Sequence, residues 1–240
     1  SLYARHRPHY PQALYDYLLT QVTGTASAWD CATGNGQVAT VLARYFDQVH
    51  ATDASAAQLA KADRSVNAAS QPINYFVCTA EKTPFPNHSF DLITVAQALH
   101  WFNFEAFYRE VRRVSKPGGL LATWGYGLMK TSNARINVLI QEFYTTTIGP
   151  YWDLERKHID ASYQSIPFPF QEIPPPTFAM EVTWDIADCL GYLNTWSSVQ
   201  KFIQMQGYNP VEMFGQALQP LWEEQEQVVF PIFMKVGKVG

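Results

Sequence analysis

Two periodicities alternate through the first half of the chain. Runs dense in apolar and β-branched residues at 26–31, 49–52, 73–78, 91–96 and 120–124 predict five strands. Between them, apolar positions recur every three to four residues, which predicts helices. Leu14, Leu18 and Val22 share one face after Pro11, whose fixed φ suits a helix start. Val38, Val41, Leu42 and Tyr45 form the next stripe. Leu59, Ala62 and Val66 follow a Ser55 cap, and Phe107, Val111 and Val114 follow an Asn103 cap. Residues 91–96 are almost continuously apolar, as a strand covered on both faces must be. Lys116-Pro117-Gly118-Gly119 reads as a tight turn before the fifth strand. Strands and helices alternating in this way imply an α/β fold with a doubly wound, mostly parallel sheet.

The second half breaks that rhythm. Ile136, Leu139, Ile140 and Phe143 predict a helix stopped by Gly149-Pro150. Five prolines between Ser165 and Phe178 argue against regular structure there. Residues 178–184 alternate like a strand, and Asp185 caps a helix through Leu190, Leu193 and Trp196. A further helix starts at Pro210 and carries Met213, Phe214, Ala217 and Leu221; residues 228–236 form a closing strand. The closing strands need the first sheet as their partner, so the expected organisation is one domain over 1–240. Within it, 1–25 form an N-terminal lid and helix and 26–126 a ligand-binding core. Residues 127–177 form a helical cap insertion, and 178–240 the closing strands with inserted helices.

Composition narrows the function. The 240 residues, against a prior of about 150 per domain, accommodate one domain with an insertion. With 47% apolar and 16% charged residues the chain is far too hydrophobic for disorder. No apolar run approaches the ~20 residues of a membrane span. Seventeen basic and 21 acidic residues give a net charge of −4 with no cationic block, so a nucleic-acid partner is not expected. Cys31, Cys78 and Cys189 lack metal-ligand spacing and read as free thiols of a reducing, cytoplasmic compartment; no metal site is expected. The chain has no signal-peptide pattern and opens on Ser1 rather than Met, as a fragment or a chain with added terminal residues would.

The sharpest local feature is Asp30-Cys31-Ala32-Thr33-Gly34-Asn35-Gly36, set between a strand and a helix. Glycines there let the backbone approach a nucleoside ligand, and the following helix offers unsatisfied N–H groups. Asp53, at the end of the second strand, is placed to accept hydrogen bonds from a ribose diol at a topological switch point. Gly34-Asn35-Gly36-Gln37-Val38-Ala39 also satisfies the form of a dinucleotide fingerprint. Asp30 argues against a pyrophosphate, which it would repel, and for a ligand ammonium. Glu81, following the third strand beside Ala80, adds an acidic group where an adenine edge would lie.

Taken together, Trp29 to Gln37, Asp53, Ala80-Glu81 with Pro84-Phe85-Pro86, Ser89-Phe90-Asp91-Leu92 and Lys116-Pro117-Gly118-Gly119 resemble class I S-adenosylmethionine-dependent methyltransferases. Tyr3-Ala4-Arg5-His6-Arg7-Pro8-His9-Tyr10-Pro11 and Ala98-Leu99-His100-Trp101-Phe102 look more specifically like the trans-aconitate and cantharidin methyltransferase-like branch. The resemblance covers residues 3–126 and implies a seven-stranded sheet binding S-adenosyl-L-methionine. It implies that Ala32 and Gly34, with Gly36, hold the methionine part and that Asp53 takes the ribose hydroxyls. It further implies Ala54 against the adenine, Ala80 and Glu81 at its edge, Gln97 and Ala98 at the methionine moiety, and Tyr3 and Arg7 on a lid. Ala32 departs from the family pattern, standing at its first loop glycine; an alanine is tolerable there at negative φ and awkward otherwise.

Methyl transfer from a sulfonium asks a protein chiefly to align the acceptor and exclude water. His100, directly after the fourth strand, is the candidate catalytic residue, as a positioning group or a base. Trp101, Tyr126, Tyr192 and Trp196 are candidate acceptor walls, and Arg135 and Lys201 candidate partners of an acidic substrate. The expected activity is methylation of a small molecule, with a carboxyl oxygen as the favoured acceptor atom. A nicotinamide-dependent oxidoreductase and a non-catalytic cofactor-binding protein are the alternative readings.

Overall fold

The computed structural model describes residues 8–62 and 72–240. Tyr3, Arg7 and Val66 lie outside them. Strands β1 (Ser27–Cys31), β2 (Gln48–Asp53), β3 (Ile73–Val77), β4 (Phe90–Ala96), β5 (Ser115–Tyr126), β6 (Gln171–Glu172) and β8 (Glu226–Lys238) lie in the order β3-β2-β1-β4-β5-β8-β6, and β7 (Phe178–Trp184) pairs β8 off this path. The first five strands are parallel; β8 runs antiparallel to β5 and β6. Between β1 and β4 the order reverses, which is the switch point where open α/β sheets bind ligands.

Two compact units divide the chain. The sheet unit comprises Pro11–Tyr126, His158–Phe178 and Ile232–Gly240. It carries α1 (Gln12–Gln21), α2 (Gln37–Leu42), α3 (Ala56–Leu59) and α4 (Phe104–Val114). Its core gathers Trp29, Phe90, Ile93, Val95 and Leu121 from the strands, Phe107 and Val111 from α4, and Ile159, Tyr163 and Ile166 from the returning segment. Trp29 is fully enclosed with its indole N–H donated to Thr52 Oγ1 at 2.9 Å, so its large apolar area is buried without an orphaned donor. Asn103 caps α4 by accepting from the Ala106 N–H. Glu105 in the first turn and Arg112 and Arg113 in the last suit the helix dipole. Glu110 of α4 accepts from Arg113 and from the Thr83 N–H and hydroxyl, fastening the loop after β3 to the helix.

The second unit comprises Gly127–Lys157 and Ala179–Pro231, with residues 8–10. It holds α5 (Ala134–Glu142), α7 (Ile186–Leu193), α8 (Ser197–Gln206) and α9 (Pro210–Leu218); the short α6 (Arg156–Asp160) begins at its edge. Asn133, Asp185 and Asn209 cap α5, α7 and α9.

The structure corrects three local expectations. The sheet has eight strands rather than seven, because Gln171–Glu172, within the proline-rich stretch, pairs Gly237 and Lys238 as a two-residue edge strand. Shortness and flanking prolines suit an edge. The fifth strand starts at Ser115 rather than 120. Its pairing runs from Phe90↔Ser115 to Leu92↔Leu120 across a bulge made of the Lys-Pro-Gly-Gly sequence. Gly118 lies at φ 74°, and a Cβ on Gly119 would sit 2.4 Å from Ser115 Oγ, so the two glycines permit the bulge. The helix from Ala134 ends at Glu142 and widens into a π-turn over Phe143–Thr147 before Gly149. Helix α8 was not foreseen in the sequence.

Candidate functional site

The loop between β1 and α2 is built on three left-handed residues, Ala32 (φ 54°), Gly34 (φ 58°) and Gly36 (φ 83°). Thr33 N–H donates to Thr52 O at 2.8 Å and Gly36 N–H to Thr33 O at 2.9 Å, so the loop folds back onto the end of β2. A Cβ on Gly34 would meet nothing within 4 Å: it is the φ that selects glycine, and the space beside it is open. Ala32 therefore carries its methyl in a strained conformation, with the side chain packed against the sheet core.

Asp53 joins the loop to the next turn. Its Oδ2 accepts from the Gly34 N–H at 3.0 Å and its Oδ1 from the Ser55 N–H at 2.9 Å. Ser55 in turn caps α3 through the Gln58 N–H. Each carboxylate oxygen keeps a second acceptor site, as a pair of ribose hydroxyls requires. Ala54 beside it is exposed.

Asp30 is only 1% exposed. Thr33 Oγ1 donates to one oxygen at 2.5 Å and Thr94 Oγ1 to the other at 2.8 Å. Burial pushes its pKa up from 3.8 to about 6, against hydrogen bonds from Thr33, Thr94 and the Ala39 N–H, with the nearby Asp53 charge adding to the rise. The carboxylate thus lies under the loop, holding Thr33 in place. Thr33 and Thr94 are supporting residues that sequence reasoning missed; the loop spacing was the available signal for the first, and none existed for the second.

At the end of β3, Cys78 N–H donates to Asp53 O, Ala80 is buried in the core, and Glu81 accepts from the Asn103 N–H at 3.0 Å. At the end of β4, Gln97 adopts φ 56°. Its N–H donates to Trp124 O at 2.7 Å and its side-chain oxygen accepts from the Tyr126 N–H at 2.9 Å. Gly125 allows this, because a Cβ there would lie 2.6 Å from the Phe233 ring and 2.8 Å from the Gln97 oxygen. Strain of this sort at a strand end is characteristic of functional sites. Ala98 packs into the core and Tyr126 is buried at the end of β5.

His100 follows on a short 3₁₀ turn, 7% exposed, with Nδ1 3.2 Å from the Tyr163 hydroxyl. Trp101 next to it is 56% exposed, the two rings 4.9 Å apart. Tyr163 had no signal in the sequence, since it lies 63 positions away among the prolines' approach.

Asp30, Ala32, Gly34, Gly36 and Asp53 are thus brought together, and Gln97 and Tyr126 are joined to each other. The remaining predicted acceptor residues belong to the second unit. Tyr192 and Trp196 are buried, their rings 5.7 Å apart, in an aromatic cluster with Trp184, Trp152 and Tyr144. Arg135 lines an open groove of about 540 Å³ between α5 and α9, whose walls include neither of them. Lys201 is tied to Asp153 by an ion pair and is not an available partner for a substrate. Among the described residues no cluster of three or more His, Cys, Asp or Glu suits a metal ion, and no helix is long and apolar enough to cross a membrane.

A doubly wound sheet with a glycine loop after β1 and a carboxylate closing β2 defines a nucleoside-cofactor-binding protein of the α/β class. A family model described as a methyltransferase domain matches residues 29–123. A Dictyostelium discoideum chain described as a methyltransferase is 34% identical over 245 residues, covering 98% of this chain and 91% of that one. A Saccharomyces cerevisiae chain described as an S-adenosylmethionine-dependent methyltransferase is 29% identical over 128 residues, covering 52% of this chain and 44% of that one. Among solved structures, one described as a type II methyltransferase from Anaeromyxobacter dehalogenans superposes with a TM-score of 0.87 at 34% identity, covering 97% of this chain and 98% of that one. The chain belongs to the class I S-adenosylmethionine-dependent methyltransferases, and S-adenosyl-L-methionine is its cofactor. The nicotinamide alternative is thereby set aside.

Proposed function

We propose that the enzyme methylates a small carboxylic acid on oxygen, in the manner of the trans-aconitate-like branch that its N-terminal and His100-Trp101 motifs resemble. The observation that carries this reading is the pair at the end of β4: a buried, hydrogen-bonded His100 beside an exposed Trp101. One ring is held as a fixed polar contact while the other is left to cover an acceptor. Bound S-adenosylmethionine supplies a sulfonium-activated methyl group, which passes to a carboxylate oxygen as the carbon–sulfur bond breaks and its electron pair returns to sulfur. No proton is removed from an ionised acceptor, so the chain's task is alignment in a dry site.

In this reading Asp53 holds the ribose hydroxyls, Ala54 lies against the adenine, and Ala80 and Glu81 meet its edge. The backbone of Ala32, Gly34 and Gly36 accommodates the methionine part, with Gln97 and Ala98 opposite and Tyr3 and Arg7 contributing from the N-terminal segment. Asp30 acts from beneath, fixing Thr33 and setting a negative field that favours the ligand ammonium. Trp101 and Tyr126 wall the acceptor. Tyr192 and Trp196 act through packing within the second unit. Three free thiols and the acidic balance support a small-molecule acceptor and a cytoplasmic location.

The test is a panel of di- and tricarboxylates incubated with methyl-labelled S-adenosylmethionine. A carboxyl methyl ester releases its label as methanol in mild alkali. Label held in an alkali-stable product would place the methyl on nitrogen, sulfur, carbon or an ether oxygen and end the carboxylate reading.

A further inference from the structure

Helices α5 and α9 of the second unit are pinned to each other at two points and left open between them. The side-chain amide of Asn133, the α5 cap, donates to Leu221 O at 3.4 Å, and Phe143 stacks on Phe214 with ring centroids 4.5 Å apart. The groove of about 540 Å³ that remains is lined by the partly exposed Leu139 and Leu221, with the small Ala217 on the α9 side. Val138, also lining it, is 56% exposed. A β-branched residue at an exposed helix position gains nothing from helix propensity. A preformed apolar groove left open to water is the mark of an interaction site.

The charges on α5 decide what fits there. Arg135 and Glu142 are the charged residues of this helix, both exposed and both lining the groove. Seven positions separate them, about 10 Å along one face. A simple anion would meet Glu142 in the groove, and a simple cation would meet Arg135. Arg135 also stands in the first turn, where the helix dipole disfavours a cation, so its own helix gives no reason for it. A fitting occupant carries a negative and a positive group at the same separation in the opposite order, with apolar surface between. Helix α5 itself, turned end for end, meets that description. Val138 and Leu139 straddle its midpoint between the two charges. A two-fold axis there places Arg135 opposite Glu142 of the partner subunit, and Val138 opposite Leu139 of the partner subunit. We propose that this face is an isologous dimer interface. A second copy of the chain lays its α5 antiparallel on α5, and the exposed Val138 of each copy enters the groove of the other. Apolar contacts at the centre and charges at the edge are the usual anatomy of an interface. Two nine-residue helices bury less than a standard interface, so the dimer is weak, with a Kd on the order of 10 μM. The pairing does not depend on which acceptor the enzyme takes.

The experiment is sedimentation velocity of the chain over about 1–200 μM, a range that brackets the expected constant. The wild type is expected to show a reversible monomer–dimer equilibrium. Arg135→Glu and Glu142→Arg each bring two like-charge pairs together across the axis, and each is expected to weaken the dimer about tenfold. The double variant restores the pairing with its charges exchanged and is expected to dimerise within about threefold of the wild type. Mixing the two single variants gives a heterodimer tighter than the homodimer of either, which also shows that both fold. Val138→Arg sets two cations against each other beside the axis and leaves monomer. A wild-type chain that stays monomeric at the highest concentration overturns the proposal. If the amphipathic dye anilinonaphthalene sulfonate then binds that monomer and Val138→Arg expels it, the groove belongs to a small ligand instead. A dimer indifferent to both single reversals, or one that the double variant fails to restore, pairs through another face and equally overturns it.

Discussion

Replacing Asp30 with Asn isolates the energetic consequence of burying a carboxylate beneath the cofactor loop. Burial lifts the folded-state pKa from 3.8 to about 6, so the folded protein holds this proton more tightly than the unfolded chain. Stabilisation from the protonated form is complete below about pH 4 and is lost as the pH rises through about 6. Above that range the folded state carries a buried charge costing about 3 kcal/mol relative to the neutral acid, at 1.36 kcal/mol per unit of pKa. Asn resembles the neutral acid: its carbonyl accepts from one threonine, and the hydroxyl of the other turns to accept from its amide. Asp30→Asn is therefore expected to be more stable than the wild type by about 2–3 kcal/mol at pH 7.5, the difference shrinking towards zero near pH 4. Urea unfolding at half-unit steps from pH 4 to 8 measures both curves. Weakened S-adenosylhomocysteine binding is expected alongside, because the field under the ligand ammonium is gone. A stability difference that does not vary with pH, or an Asn variant less stable at pH 7.5, would falsify the reasoning and show that the loop needs the anion.

Asp53→Ala is expected to weaken S-adenosylhomocysteine binding by about 1.5–3 kcal/mol in titration calorimetry, through lost charge-assisted bonds to the ribose; unchanged affinity in a folded variant removes Asp53 from the site. Ala32→Gly relieves a left-handed alanine worth about 1–2 kcal/mol, opposed by about 0.4–1 kcal/mol of added unfolded-chain entropy. A small net gain in stability with affinity preserved is expected, and a marked loss of affinity would mean that the methyl packs against the ligand. Gly125→Ala forces a Cβ into the Phe233 ring and the Gln97 oxygen and is expected to cost about 1–3 kcal/mol and to lower cofactor affinity by displacing Gln97; a neutral thermal melt would show that Phe233 turns aside freely.

Much of the sheet unit was legible because its information is local. Strand runs and capping residues lie within a few positions of the elements they define: Asn103 and, in the second unit, Asp185 cap the helices the sequence assigns to them. Asp53 was legible for the same reason, as a strand-end carboxylate at a fixed distance from a glycine loop. The Lys-Pro-Gly-Gly bulge was misread as a turn because glycines that permit a turn equally permit a strand to kink and resume pairing, and only the register with β4 decides. Tyr163 and Thr94 were invisible because the contacts that tie them to His100 and Asp30 span more than sixty residues, which leaves no periodicity to read. Arg135 and Lys201 looked equivalent as cations; Asp153, 48 positions from Lys201, separates them.

The way the chain alternates between its two units bears on how the enzyme can be cut down or recombined. Residues 29–123, which the family model recognises, are not a self-sufficient piece. Excised, they would leave β5 without Ile232 to Lys238, baring the ladder from Leu120 onward as a sticky edge inclined to recruit another chain. The same cut would remove Ile159, Tyr163 and Ile166 from beneath α4, opening a hole in the core and stripping His100 of its phenol. A chimera that exchanges residues 127–231 as a single cassette would carry Tyr163 away with it, because the return segment lies inside that span. Exchanging the second unit alone would therefore call for two separate exchanges, 127–157 and 179–231, with the stretch between them kept from the parent.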